Sequence, residues 1–304
     1  MDYVTFGIIV DDVAFPDGRV ARDLLGGGGP QTAFGMRLWA ERVGLAARVG
    51  EDLPAGAWAW LRASGVDTEG VRVTGFPTLR AWQHLSLKGG RRHEWQVPPA
   101  AVGAQLARSV ADLPEGYRHA RGWHLGLHPE EPPLRFMADL RTLGGVVSVE
   151  PFRAAQQPLA PGALRALLKA TDIFSPNLAG ARSLVGPGTP EAVVRRLLDA
   201  GATVVALRLG AAGSLVADGR SGHTARIPAL PVAVVDPVGA GNAYCGGFLT
   251  GWVATGNVAE AGLRGAVAAS FLLEQYGLPD AGHAAEWEQV KRERLDALKQ
   301  AGNG

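Results

Sequence analysis

The strongest structural signal in this chain is "VVDPVGAGNAYCGGFLTGW", Val234–Trp252. It begins with apolar residues, turns through Gly239-Ala240-Gly241 and continues into small and apolar residues that predict a buried helix. Glycines permit a tight turn whose backbone N–H groups, together with a following helix N-terminus, bind an anion. The turn ends in Asn242, an amide that cannot accept a proton near neutral pH.

Composition narrows the class of protein. The 304 residues are 47% hydrophobic, enough for one large α/β domain or two small ones. A net charge of +1 gives no drive toward nucleic acid or anionic membranes, and no stretch approaches the roughly 20 apolar residues of a membrane span. Cys245 is the single cysteine, which excludes an internal disulfide. We therefore expect a cytoplasmic protein without nucleic-acid or membrane partners.

Strand and helix patterns alternate outward from this stretch. An apolar run from Tyr3 to Val10 predicts the first strand, and further buried strands are predicted at 122–127, 144–151, 171–177 and 202–210 with helices between them. This alternation is typical of parallel βαβ units with helices on both faces of the sheet. Ligands of such sheets bind at the carboxyl ends of strands. The polar candidates there are Asp11, Asp12, Glu150, Asn177 and Asp236, with Gly210 beside them.

A different pattern runs from Val71 to Val97. Three strand-like segments follow one another without a helix, and Lys88–Gly90 predicts a hairpin turn between the last two. We expect a small sheet apart from the main body, and pairing with a second copy would cover its edges in a homodimer.

Two common phosphate-binding patterns are missing. The sequence has no G-x-x-x-x-G-K-[ST], and the glycine run Gly26–Gly29 does not complete G-x-G-x-x-G. A nicotinamide-dependent oxidoreductase is therefore disfavoured.

The order of the remaining signals resembles a known family. An Asp follows strand one, a glycine run enters a helix, and "SPNLAGARSLVG", "LRLGAAGSLV" and "DPVGAGNAYCGGFL" come later. The chain resembles the ribokinase-like (PfkB) carbohydrate kinases from end to end; their signature is D-T-x-G-A-G-D-x-F-x-G-G-F. The resemblance implies a three-layer α/β fold with a mostly parallel central sheet flanked by helices. It also implies one domain over 1–304, with a β lid from about 12–25 and 71–97.

The resemblance also implies a site. In the family the glycine turn binds the γ-phosphate during transfer from ATP, and Mg²⁺ is the cofactor. A monovalent cation is a further candidate cofactor. The final Asp of the turn is the base. The corresponding residues here are Asp236, Gly239, Ala240, Gly241 and Asn242 in the turn; Asp12, Gly27, Gly28 and Gln31 at the sugar; and Asn177, Arg208, Gly210 and Gly213 at the nucleotide.

Several departures fall on this site. Asn242 replaces the base, Gln31 a sugar-binding Asn and Arg208 a Thr, while Gly180 replaces the Glu of an N-x-x-E motif linked with magnesium. The sequence therefore predicts an ATP-dependent kinase of a sugar or sugar-like alcohol, weakened at the base position. A non-catalytic nucleotide or sugar sensor is the alternative, because general-base catalysis typically contributes 10²–10⁴-fold.

Some candidates have a purely structural interpretation. Asn242 is equally suited to cap the following helix. Cys245 and His124 are interpreted as core residues more readily than as a nucleophile or a metal ligand. Trp82 and Trp95, in the predicted lid, fit sheet packing or a dimer contact as well as stacking on a substrate.

Overall fold

The computed structural model describes residues 1–86 and 91–301. Its main sheet has nine strands in the order β13-β12-β11-β10-β9-β8-β1-β4-β5. All neighbouring pairs are parallel except β11 with β12 and β12 with β13. These strands are β1 (Tyr3–Phe6), β4 (Val43–Val49), β5 (Val71–Val73), β8 (Gly122–Leu127), β9 (Val146–Pro151), β10 (Ile173–Phe174), β11 (Val204–Arg208), β12 (Ser214–Asp218) and β13 (Thr224–Ile227).

Helices cover both faces of this sheet. One apolar cluster includes Phe34, Phe248 and Phe271, and a second includes Phe136 and Leu197, so the sheet lies between two cores. The helices are α1 (Gly29–Arg37), α2 (Ala55–Ala63), α3 (Pro99–Leu106), α4 (Glu115–Arg118), α5 (Leu134–Thr142), α6 (Pro161–Lys169), α7 (Leu178–Val185), α8 (Pro190–Asp199), α9 (Ala240–Thr255), α10 (Val258–Leu273) and α11 (Ala284–Ala301). The predicted three-layer α/β fold is confirmed.

Helix α9 is held tightly between two neighbours. A Cβ on Gly246 would lie 2.2 Å from the carbonyl oxygen of Thr32 in α1, and one on Gly247 would lie 2.6 Å from that of Arg264 in α10. Only glycine permits such close backbone approach at these two positions. The packing fixes the start of α9, and with it the glycine turn.

The small sheet has four strands in the order β3-β2-β6-β7. They are β2 (Ile9–Ala14), β3 (Val20–Gly26), β6 (Arg80–Leu85) and β7 (Arg91–Trp95). We call this sheet the lid. Its bounds differ from the predicted ones, because Val71–Val73 pairs with β4 in the main sheet and the lid already begins at Ile9. The predicted hairpin turn at Lys88–Gly90 lies outside the described residues.

The helices within residues 1–86 and 91–301 are too short or too polar to cross a bilayer.

Candidate active site

Glu150 is the centre of a buried polar cluster at the carboxyl edge of the main sheet. It is the penultimate residue of β9 and is only 4% exposed. Asn242 Nδ2 donates a hydrogen bond to its Oε1, and Arg208 Nη2 lies 2.7 Å from its Oε2. The cluster therefore joins the end of β9, the end of β11 and the first turn of α9.

Charge keeps this buried carboxylate ionised. Burial alone would raise the pKa of Glu150, but the Arg208 charge, with His124 and Asn242 beside it, lowers the pKa to about 2. Cys245 behaves in the opposite way, since burial and the Glu150 carboxylate raise its thiol pKa to about 12. The cysteine is therefore protonated and unreactive, as a core residue would be.

His124, Glu150 and Cys245 also offer three potential metal-ligand atoms within 4.8 Å of one another. His124 Nδ1 is 2.9 Å from the hydroxyl of Ser148, and its Nε2 lies 3.5 Å from Glu150. The Arg208 guanidinium already neutralises the only carboxylate of the set. A metal cation would meet that positive charge, so this donor set does not favour one.

Asn242 is not a helix cap. Helix α9 begins at Ala240, and its N-cap is Gly239 with φ +85° and no side-chain hydrogen bond, so the predicted capping role is wrong. The amide instead donates to Glu150, and since only its NH₂ end can do so, the orientation of the amide is fixed. Its carbonyl oxygen is the end left to accept a hydrogen bond.

The two glycine turns face each other. A Cβ on Gly28 would lie 3.0 Å from Asn242 Nδ2, and one on Gly239 would lie 2.7 Å from Gln31 Cγ. Thr32 in α1 donates to the backbone oxygen of Asn242 at 3.2 Å. The predicted sugar block of Gly27, Gly28 and Gln31 is thus brought against the predicted phosphate turn.

Gln31 is joined by a carboxylate of the lid. Its Oε1 accepts from the backbone N–H of Gly28 at 3.1 Å. A Cβ on Gly26 would lie 2.1 Å from Asp11 Oδ2 and 3.3 Å from Gln31 Nε2, which places Asp11 beside Gln31. Gln83 in β6 donates to Asp11 Oδ1 at 2.8 Å.

Asp12, the predicted sugar ligand, lies on the opposite face of β2. Its carboxylate accepts from the Asp23 N–H at 3.0 Å and from Gln96 Nε2 at 2.9 Å, with Arg80 at 3.5 Å. Burial would raise its pKa, but these partners lower it. Because successive side chains of a strand alternate between faces, the structure brings Asp11 rather than Asp12 to Gln31.

The predicted nucleotide residues lie along neighbouring strand ends. Asn177 follows β10 and caps α7 by accepting from the Gly180 N–H at 2.7 Å. The backbone of Asn177 also forms a parallel β-bridge with that of Arg208 at the end of β11. Gly210 and Gly213 form the turn that leads into β12. Arg208 connects this row to Glu150.

Asp236 precedes the phosphate turn and is fully buried. Its Oδ1 accepts from the Val238 N–H at 2.9 Å, whereas its Oδ2 makes no well-aligned hydrogen bond within the described part of the chain. Burial raises the pKa of Asp236, opposed by the N–H groups of Val238 and Gly277. A buried carboxylate oxygen left in this way has the chemistry of a cation ligand.

The sequence placed Asp11 and Glu150 among the strand-end candidates and Arg208 at the nucleotide, but it predicted neither the Glu150–Arg208 pair nor the contact of Gln83 with Asp11. The position of Glu150 after a buried strand was the available signal for the first. No local pattern indicated that Arg208 would cross β10 to reach it.

Comparison with known proteins adds an independent finding. The pfkB family carbohydrate kinase model matches residues 4–281. The chain is 29% identical over 255 residues to a cytidine kinase of Thermococcus kodakarensis, covering 83% of this chain and 88% of that protein. It is 26% identical over 295 residues to a nucleoside kinase of Methanothermobacter thermautotrophicus, covering 94% and 91%.

Solved structures agree on the fold. A fructokinase from Vibrio cholerae, with fructose, ADP and calcium ion bound, superposes with a TM-score of 0.73 at 19% identity and covers 98% of this chain and 99% of its own. The chain belongs to the PfkB family of carbohydrate kinases.

Proposed function

We propose that this protein transfers the γ-phosphoryl group of MgATP to a hydroxyl of a sugar-containing small molecule. The observation that carries the proposal is the contact between the two glycine turns, in which Gly28 meets Asn242 and Gly239 meets Gln31. An acceptor held by the first turn would therefore present its hydroxyl to a phosphate held by the second.

The phosphate turn suits the developing charge of the transfer. Backbone N–H groups of Ala240 and Gly241 at the start of α9 are free of intrahelical partners and lie at the positive end of a 16-residue helix. Such groups stabilise a transferring phosphoryl without moving. The O–Pγ bond forms as the bond to the ADP oxygen breaks, through a loose transition state that depends mainly on positioning and charge.

Asn242 orients the acceptor without acting as a base. Its NH₂ is engaged by Glu150, so its carbonyl oxygen is available to a substrate hydroxyl. The hydroxyl proton passes instead to a phosphoryl oxygen or to water. We therefore expect slower transfer than a carboxylate at this position would give.

The nucleotide-binding residues are those that line consecutive strand ends leading to the phosphate turn, namely Asn177, Arg208, Gly210 and Gly213. Mg²⁺ enters with ATP as part of the substrate. Asp236 is the candidate ligand for a cation near the turn, since its Oδ2 lacks a well-aligned partner in the described residues.

A nucleoside is the acceptor class that we favour. Two relatives are named as a cytidine kinase and a nucleoside kinase. Ala81 and Gln83 of the lid pair with Trp95 and His93, so both rings share the face that carries Asp11. Trp95 could stack on a base while Asp11 and Gln31 bind sugar hydroxyls; Trp82, on the other face, is covered by Arg22 with its guanidinium 4.9 Å from the ring centroid.

The test is an acceptor panel of nucleosides, free sugars and polyols, assayed with MgATP for ADP release and for phosphorylated product. We expect at least one nucleoside to be phosphorylated. If ATP binds and no acceptor is turned over, the result supports the second candidate, a nucleotide sensor, which the Asn at position 242 and the Gly at position 180 favour.

A further inference from the structure

We propose that Arg208 is a resident cation of the phosphate turn, which contacts the β- and γ-phosphates of bound ATP and makes nucleotide binding less dependent on divalent metal. The inference rests on the proposed function, because it requires a nucleotide on the turn. It concerns a residue at which this chain departs from its family, where the resemblance gives a Thr.

The position of the guanidinium supports the proposal. A Cβ on Gly241 would lie 2.0 Å from Arg208 Nη1, so the guanidinium lies directly against the first turn of α9. Nη2 is held from behind, at 2.9 Å from the Ser175 carbonyl oxygen and 2.7 Å from Glu150 Oε2. These two anchors leave Nη1 facing the phosphate turn.

The helix dipole argues for an anion at this point. The N-terminus of α9 is positive, and an arginine beside it is repelled unless negative charge lies between them. Glu150 supplies one such charge, because it accepts from Asn242 in the first turn of α9 and pairs with Nη2 of Arg208. A phosphate on the turn would supply a second negative charge, beside Nη1.

A purely structural ion pair explains less. The Arg208 and Glu150 side chains are 14% and 5% exposed, and a buried ion pair often stabilises a fold no better than apolar residues of similar volume. Moreover, Arg208 Nε is buried without a hydrogen-bond partner among the residues described. A guanidinium with unused donors is poorly justified as a structural element alone.

Gly180 supplies a reason for a resident charge. It stands where the resemblance places a Glu linked with magnesium, so the chain lacks one acidic group that would help to hold the metal. A fixed guanidinium donates charge-assisted hydrogen bonds to phosphate, here through Nη1, and neutralises part of its charge in the same region.

The experiment measures ATP and AMP affinity by calorimetry, each with Mg²⁺ and with a chelator. The variants are Arg208→Thr, Arg208→Lys and the double variant Arg208→Thr with Glu150→Gln. Arg226→Thr is the matched control, because Arg226 pairs with Glu191 on the exposed surface of the same sheet. Thermal unfolding of every variant verifies that it is folded.

We expect Arg208→Thr to weaken ATP binding by roughly 10- to 100-fold in chelator, the range of a charge-assisted hydrogen bond. The loss should be smaller with Mg²⁺, absent for AMP and only partly rescued by Lys.

The double variant separates two causes: recovered ATP affinity would mean that Arg208 only neutralises Glu150, and would overturn the proposal. An equal loss for ATP and AMP, or no loss at all, would also overturn it while leaving the proposed function intact. Failure of the unmodified protein to bind any nucleotide would instead contradict the proposed function itself.

Discussion

The acceptor side and the phosphate side of the site are built differently. We define the acceptor side as Gly26–Gln31 with Asp11 and Gln83, and the phosphate side as Gly239–Asn242 with Glu150 and Arg208. On the acceptor side the polar groups come from two separate parts of the fold, since Asp11 and Gln83 belong to the lid and Gln31 belongs to helix α1. Their geometry therefore depends on where the lid lies.

On the phosphate side the polar groups all come from the main body. Glu150 and Arg208 lie at the carboxyl ends of strands of one sheet, and Asn242 lies in a helix that glycine contacts hold against its neighbours. A buried hydrogen bond joins Asn242 to Glu150, and a buried ion pair joins Glu150 to Arg208. Changes on the phosphate side should therefore affect stability and chemistry together, whereas changes on the acceptor side should affect mainly substrate affinity.

The largest effect is expected for Gly241→Val. The new Cβ would lie 2.0 Å from Arg208 Nη1, and the side chain would also cover N–H groups that bind phosphate. Nucleotide affinity in calorimetry should fall by at least about 100-fold, with an unfolding cost of about 1–3 kcal/mol from overpacking.

Gly56→Val is the control for that substitution. Gly56 lies in α2, and a Cβ there meets nothing within 4 Å. Unchanged nucleotide affinity in Gly241→Val would contradict the assignment of the turn as the phosphate site.

Asn242→Asp tests whether the phosphate side acts as a unit. The new carboxylate would replace the donor to Glu150 and place two negative groups in contact, which raises the pKa of one of them. We expect the single variant to lose about 1–3 kcal/mol of stability and to gain little activity. Combined with Glu150→Gln, the carboxylate regains an amide partner, and turnover should rise by about 100-fold.

Acceptor kinetics and denaturant unfolding provide the readout, with Glu150→Gln alone as the control. A stable and fast Asn242→Asp single variant would show that Glu150 does not constrain position 242.

The sequence predicts local features of this protein better than contacts between distant residues. The strand–helix alternation and the glycine signature predict the three-layer fold, because periodicity and glycine turns are local properties of the chain. Glu150 could be placed at a strand end in the same way. Its ion pair with Arg208 could not be predicted, because the two residues are 58 positions apart and meet only across β10.

The lid was harder to predict for a related reason. Residues 71–73 have the same strand-like composition as the lid strands, yet they pair with β4 in the main sheet. Partner choice between two sheets depends on long-range packing that short segments do not encode. The sequence also does not decide whether Asp11 or Asp12 faces Gln31, since a shift of one residue exchanges the faces of a strand.

The smallest effect is expected on the acceptor side, where Asp11→Asn and Asp12→Asn form a matched pair. Asp11 lies beside Gln31, so its replacement should raise KM for the acceptor by about tenfold, the value of one charge-assisted hydrogen bond, with little change in kcat. Asp12 accepts from Asp23 and Gln96 within the lid, so its replacement should lower the melting temperature and leave KM within about twofold.

Steady-state kinetics with the best acceptor of the panel, together with thermal unfolding, separate the two outcomes, and Asp17→Asn in the exposed lid turn serves as the control. The opposite pattern, a raised KM for Asp12→Asn alone, would return the sugar contact to the residue predicted by register. It would also mean that the lid presents its other face to the substrate, in which case Trp82 rather than Trp95 would become the stacking candidate.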